Sequence, residues 1–301
     1  MLTGNRQTVS FLIKRFRQAG IHLYTRYGQN FLIDLNLVAL LVDSAELTPQ
    51  DIVLEVGTGT GSLTHKMATL AGWVVTVEID SRLYQLASEE LCECDNVTML
   101  LEDALRNKNS LQPRVIESIT EAMQLHDLQN FKLAANLPYN IAIPIISNLL
   151  RTDNIPKLMC VTIQKELADR ITALPGTKNY SALSIWIQSQ CETEIIRVLP
   201  PDVFWPRPKV HSAIIRIRPD KARREQIPDL AFFHTFVRSI FCHRRKFLRS
   251  VLLAAFKKQL GKAEIDDAIH ELHLDGQCRA EQLDVTQMIA LCESIRQRIE
   301  S

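Results

Sequence analysis

Asn136, Leu137, Pro138 and Tyr139 stand in a row at the end of an apolar run, Phe131-Lys132-Leu133-Ala134-Ala135. The run reads as a buried strand, so the four residues fall at its tip. Their types suit a planar, weakly nucleophilic amine. The Asn136 side-chain oxygen can accept one amine hydrogen. The Leu137 carbonyl, kept out of a ladder by Pro138, can accept another. Tyr139 can lie against the ring that carries the amine. The lone pair of such an amine is spread into its ring; two acceptors pull the nitrogen towards a tetrahedral shape and free the pair for attack. On their own, these residues read more simply as a strand end closed by an Asn-Pro turn. The rest of the chain shifts that balance.

A second set of residues could hold a cofactor. Gly57-Thr58-Gly59-Thr60-Gly61 lies between a strand over 51–56 and a helix that begins at Ser62. Glycines permit close backbone approach, and a helix N-terminus supplies free N–H groups. Glu78 ends the next strand about 20 residues later, the usual distance for an acid that grips ribose hydroxyls. Asp103 ends the third strand, where it can accept from an adenine amine; a helix cap before Ala104-Leu105 is the other reading. Three strand tips thus face one adenosine-like ligand, with Asn136 on a fourth. A dehydrogenase binding NAD(P) would share the loop and Glu78. It would have no need of the Asn136–Tyr139 set.

The elements that must position these residues alternate. Strands are expected over 51–56, 73–78, 96–101, 131–135 and 158–163, with helices between them, and further strands over 193–198 and 213–217. An N-terminal helix spans 8–19, Asp34 caps the next helix, and residues 181–190 read as helix. The polar stretch 107–130 reads as a surface elaboration that holds a helix over 115–123. Such alternation implies a mostly parallel sheet covered on both faces. From Pro228 the pattern is purely helical: Phe233, Phe236, Val237, Ile240 and Phe241 form one stripe, and Phe247, Leu248, Val251, Leu252 and Phe256 another. The fold class is therefore α/β, a Rossmann-like sheet in residues 1–218 followed by a small C-terminal α-helical domain in residues 219–301.

At 301 residues and 46% hydrophobic the chain can bury a sizeable core. Its 7 cysteines are scattered without zinc-like spacing, which predicts reduced thiols, a cytoplasmic setting and no metal site. No run is long enough to cross a membrane. The net charge of +1 conceals segregation. Residues 1–33 carry Arg6, Lys14, Arg15, Arg17 and Arg26 with no acid, and residues 230–263 carry Arg238, Arg244, Arg245, Lys246, Arg249, Lys257, Lys258 and Lys262, again with no acid. Two acid-free runs in a near-neutral chain suggest a polyanion gripped at two places, with the bases facing out of their helices.

Together these motifs carry a family resemblance. Gly28-Gln29-Asn30-Phe31-Leu32, Leu54-Glu55-Val56-Gly57 with Gly59 and Gly61, Glu78-Ile79-Asp80, Asn136-Leu137-Pro138-Tyr139, Phe204 with Pro206, Pro208-Lys209-Val210 and Ser212, and Arg244-Arg245-Lys246 run in chain order. The chain resembles, over nearly its whole length, the small-subunit rRNA adenine N6,N6-dimethyltransferases of the KsgA type. The resemblance implies S-adenosylmethionine as methyl donor, a Rossmann-like methyltransferase sheet and a helical RNA-binding domain. The acceptors it implies are the N6 amines of two adjacent adenosines near the 3′ end of small-subunit rRNA, in ribosome biogenesis. By motif, Asn30 and Leu32 would cover the methionine end of the donor. Gly57 would lie under its centre, Glu78 on the ribose and Asp103 by the adenine. Asn136 and Pro138 belong to the acceptor motif, Tyr139 and Phe204 would sandwich the target base, and Arg244, Arg245, Lys246 and Arg249 would meet RNA. The partner is the small ribosomal subunit, and a monomer is expected. Spacing alone reads Phe204 as a core plug. Thr58 replaces the family's usual proline and is expected to change stiffness more than contacts; Phe247 replaces a residue that is often polar. The alternatives are a large-subunit rRNA methyltransferase of the antibiotic-resistance type and a non-catalytic assembly factor on the same fold.

Overall fold

A computed structural model describes residues 9–18, 20–21 and 29–300. Gly28, Arg6 and Arg26 lie outside the described residues. Contacts group the chain into two compact units, Met1–Ala168 with Glu194–Pro219, and Asp169–Thr193 with Asp220–Ser301. The sequence reading has a single cut after residue 218; contacts place residues 169–193 with the helices that follow Pro219.

The main sheet has seven strands: β1 Asp51–Val56, β2 Trp73–Glu78, β3 Val97–Leu101, β4 Asn130–Asn136, β5 Leu158–Gln164, β6 Cys191–Leu199 and β7 Ser212–Pro219. Their order is β3-β2-β1-β4-β5-β7-β6. Strands β1 to β5 pair in parallel, and β7 is antiparallel to β5. Every residue of β1 is buried, as expected of a central parallel strand with both faces covered. The chain moves outwards from β1 through β2 to β3, then returns to β4 on the other side of β1. Open sheets of this kind bind ligands at that reversal, outside the carboxyl ends of the strands.

Local sequence sets the helices that flank the reversal. Asp34 accepts from the Asn36 N–H at 2.9 Å and starts Leu35–Ser44. Asp80 accepts from Arg82 and Leu83 N–H groups and starts Ser81–Glu90. The 107–130 stretch is not a surface elaboration. Leu105–Asn107 and Ser110–Leu111 form a short hairpin, and Pro113 then opens a helix to Leu125 that buries Val115, Ile119 and Ala122. That helix packs on β1 and β2. Polar residues dominate the 107–130 stretch as a whole, which hides the sheet-covering stripe of this helix from a reading by polarity.

A two-residue ribbon joins distant parts of the first unit. Phe31–Leu32 pairs antiparallel with Phe204–Trp205, Leu32 opposite Phe204 and Phe31 opposite Trp205. Successive residues of a strand point to opposite sides. Leu32 and Phe204 therefore enter the core with Val38, Leu41, Val53 and Ala134. Phe31 and Trp205 turn the other way onto Phe16 of the Val9–Gln18 helix, with ring centroids 5.2 and 5.5 Å apart.

In the second unit, Phe233, Phe236, Val237 and Ile240 line the buried side of Leu230–Phe241, and Leu248, Val251 and Leu252 that of Leu248–Ala255. Phe236 stacks on Phe256 at 5.7 Å. No helix of the described residues is long and apolar enough to cross a membrane.

Candidate functional site

The tips of β1, β2 and β4 are tied together by backbone geometry. The Gly57 N–H donates to the Val77 carbonyl at 2.8 Å, with φ at +89°, a conformation that disfavours a side chain. A Cβ at Gly57 would stand 3.5 Å from the Pro138 ring, so the glycine loop and the Pro138 turn lie side by side. At Gly59 (φ +59°) a Cβ would come within 3.0 Å of the Phe31 ring. The Gly59 N–H donates to Glu78 Oε2 at 2.9 Å, and the Asp80 N–H donates to Oε1 at 3.0 Å. Both oxygens of a carboxylate that is only 4% exposed are thus held in place. Burial raises the Glu78 pKa above the usual carboxylate value, while the two backbone donors oppose that shift.

A cavity of about 340 Å³ opens at these tips, lined among others by Asn30, Leu32, Gly57, Glu78, Asp103, Asn136 and Pro138. Every residue expected to touch a cofactor meets there. Asp103 Oδ1 accepts from the Leu105 N–H at 2.9 Å. This carboxylate turns the chain into the hairpin at Leu105 rather than capping a helix.

The acceptor side adjoins this cavity. Asn136 Nδ2 donates to the Asn30 carbonyl at 2.7 Å, which leaves Oδ1 as the acceptor of the amide. The Leu137 N–H donates to the Thr162 carbonyl at 3.2 Å, and among the described residues no backbone N–H donates to the Leu137 carbonyl. Tyr139 lines a neighbouring hollow with Asn30, Asn140, Gln164 and residues 208–210. Its hydroxyl shares a hydrogen bond with Ser212 Oγ at 2.5 Å. Burial raises the phenol pKa, so the ring stays neutral.

Phe204 departs from its expected place. It is 2% exposed, packs in the core beside Leu32 and lines neither cavity. The ribbon register fixes this, because Phe204 faces the core side and Trp205 the other. The core-plug reading describes this placement.

Under the glycine loop runs a hydrogen-bond chain that the sequence reading missed. Thr58 Oγ1 and Thr76 Oγ1 are 2.6 Å apart, and Thr76 and Thr64 donate to Glu55 Oε2 at 2.7 and 2.5 Å. Glu55 Oε1 is buried without a partner among the described residues. Burial pushes the Glu55 carboxyl up to about 8. An acid inside an apolar strand was the available signal, since it needs polar partners. Thr58 therefore changes contacts as well as stiffness: its hydroxyl joins this chain.

In the second unit the expected RNA set divides. Arg244 donates through Nε to Glu281 and also donates to the Thr177 and Lys178 carbonyls. Arg249 forms a bidentate pair with Asp266 at 2.5 and 2.8 Å. These two arginines do not simply face out; acids distant in sequence take them up. Arg245 and Lys246 are exposed and have no ion pair among the described residues. Among those residues no group of His, Cys, Asp and Glu could hold a metal ion.

Comparison with known proteins agrees with this geometry. The family model for ribosomal RNA adenine dimethylase matches residues 21–297. A ribosomal RNA small subunit methyltransferase A of Halothermothrix orenii is 37% identical over 285 residues, covering 94% of this chain and 91% of its own. One from Listeria innocua is 39% identical over 266 residues, 88% of each chain. The crystal structure of a dimethyladenosine transferase from Plasmodium falciparum superposes with a TM-score of 0.72 at 24% identity, covering 87% of this chain and 96% of that one. The 23S rRNA methyltransferase ErmE shares the fold, with a TM-score of 0.62 at 24% identity over 88% of this chain and 99% of its own. With the matched model spanning most of the sequence and a glycine loop, Glu78 and an oriented Asn136 meeting at one sheet edge, the chain belongs to the ribosomal RNA adenine dimethylase family.

Proposed function

We propose that this chain is an S-adenosylmethionine-dependent rRNA (adenine-N6,N6-)-dimethyltransferase that modifies two adjacent adenosines near the 3′ end of small-subunit rRNA during ribosome biogenesis. Its partner is the small ribosomal subunit, and it acts as a monomer in the cytoplasm. The family and the small-subunit relatives support the substrate. The observation that carries the chemistry is the Asn136 amide, held by the Asn30 carbonyl at 2.7 Å at the edge of a cavity suited to an adenosine-bearing ligand.

The residues present fit the donor. Gly57 and Gly59 leave room where a Cβ would meet Pro138 or Phe31. Glu78, both oxygens fixed by backbone N–H groups, has lone pairs left for a ribose diol. In this reading Asp103 meets the adenine amine, and Asn30 and Leu32 cover the methionine end; all three line the cavity. When bound, S-adenosylmethionine supplies an electrophilic methyl group on a sulfonium.

The chain itself does the positioning. In the first transfer Asn136 Oδ1 and the Leu137 carbonyl accept the two N–H bonds of an adenine N6 amine and draw that nitrogen towards a tetrahedral shape; in the second, one of them accepts the single N–H that remains. Tyr139, its hydroxyl tied to Ser212, offers a fixed ring face to a base taken out of its stack. No general base is needed before attack, because the amine proton becomes acidic only as the new bond forms. Rate enhancement then rests on alignment. The test is methylation of small-subunit particles that lack these modifications, followed by mass mapping of the product.

A further inference from the structure

Phe247 is the one aromatic side chain among the exposed large hydrophobic groups of the described residues, at 51% exposure. It follows Arg245 and Lys246 directly, both exposed and without ion pairs among the described residues. The neighbouring arginines are already engaged. Arg244 is held by Glu281 and by two carbonyls, and Arg249 by both oxygens of Asp266. Backbone bonds add to this: the Lys246 N–H donates to the His243 carbonyl at 2.9 Å, and the Leu248 N–H to the Cys278 carbonyl at 2.7 Å. The turn is pinned on both sides, and what it presents is one ring and two cations.

We infer that Phe247, flanked by Arg245 and Lys246, is a stacking platform for an unpaired nucleotide of the RNA substrate. The inference rests on the RNA-directed reading above. A ring face attracts a base, and unpartnered cations beside it attract the phosphates on either side of that base. Paired bases in a duplex have no free face to offer. A protein partner would need more apolar area than one ring. The division of labour is therefore specific. Arg244 and Arg249 position the turn; Phe247, Arg245 and Lys246 bind.

The test uses the full chain with small-subunit particles lacking adenine dimethylation and with protein-free rRNA from the same particles. Phe247→Leu keeps an apolar side chain but removes the ring. It is expected to weaken binding to both RNAs on the order of tenfold, with donor affinity and the salt dependence of binding unchanged. Phe247→Trp is expected to bind at least as tightly as the parent and to show indole emission, above that of the parent, that RNA quenches. Arg245→Gln with Lys246→Gln is expected to lower the log–log salt slope by roughly 0.7–0.9 for each lost phosphate contact. Parental affinity in Phe247→Leu, with the parent methylating the particles, overturns the stacking platform alone. A loss seen with particles and absent with protein-free rRNA points to a protein partner and also overturns it. Failure of the parent chain to bind or methylate the particles removes the functional reading, and this inference with it.

Discussion

Asn136 and Asn30, 106 positions apart in sequence, meet through a 2.7 Å hydrogen bond from Nδ2 to the backbone carbonyl. The bond sets which atom of the amide is a donor and which an acceptor. Replacing Asn136 by Asp keeps the shape but puts a carboxylate oxygen against the Asn30 carbonyl. Two acceptors then face each other, and the side chain turns away. We expect single-turnover methylation to fall on the order of 100-fold or more, with donor affinity within a few-fold of the parent. A near-normal rate would remove amine positioning from Asn136.

Glu78 accepts from two backbone N–H groups at once. In Glu78→Gln the amide NH₂ must face one of them, donor against donor. Loss of charge-assisted hydrogen bonding should cost about 1.5–3 kcal/mol in donor binding, or on the order of 10–150-fold in Kd. Calorimetry with S-adenosylmethionine reads this directly, and an unchanged affinity would place the ribose elsewhere.

Glu55 makes stability depend on pH in a stated direction. Its carboxyl is raised from 4.5 to about 8 by burial. Between those values the folded chain keeps a proton that the unfolded chain releases. The stabilisation is complete below the unfolded value and is lost as pH rises through the folded one, at no more than about 1.4 kcal/mol per pH unit. Glu55→Gln keeps an oxygen for Thr64 and Thr76 and removes the titration. Its Tm should therefore fall less than the parent's between about pH 6 and about pH 8. Parallel Tm profiles would mean that Glu55 is already ionised in the folded chain.

Thr58→Val preserves volume and deletes one hydroxyl from the buried chain with Thr76. A loss of about 1 kcal/mol in unfolding free energy is expected, with little change in fold. Denaturant unfolding that shows no loss would return Thr58 to the expectation from sequence, a change of stiffness more than of contacts.

Much of the site was legible because parallel strands bring their tips to one edge. Once β1, β2, β3 and β4 were read as strands, Gly57, Glu78, Asp103 and Asn136 had to meet, and they line one cavity. What stayed hidden depends on partners far away in the chain. The Asn30 carbonyl, Glu281 for Arg244 and Asp266 for Arg249 carry no local signal at the residues they hold. Phe204 carried two readings, a ring against the target base by motif and a core plug by spacing. In a two-residue ribbon, one step of register decides between core and surface, and the register turns Phe204 to the core. The 107–130 stretch was read as surface from its polar majority, although Val115, Ile119 and Ala122 in its helix form the stripe that covers the sheet.

The most direct measurement is methyl transfer from labelled S-adenosylmethionine to small-subunit particles lacking adenine dimethylation, with the products mapped by mass, for the parent chain and Asn136→Ala. We expect dimethylation of two adjacent adenosines near the 3′ end by the parent, and transfer lost in the variant while donor binding persists. Label confined to positions away from the 3′ end, no transfer by the parent, or a variant rate within a few-fold of the parent's would contradict it.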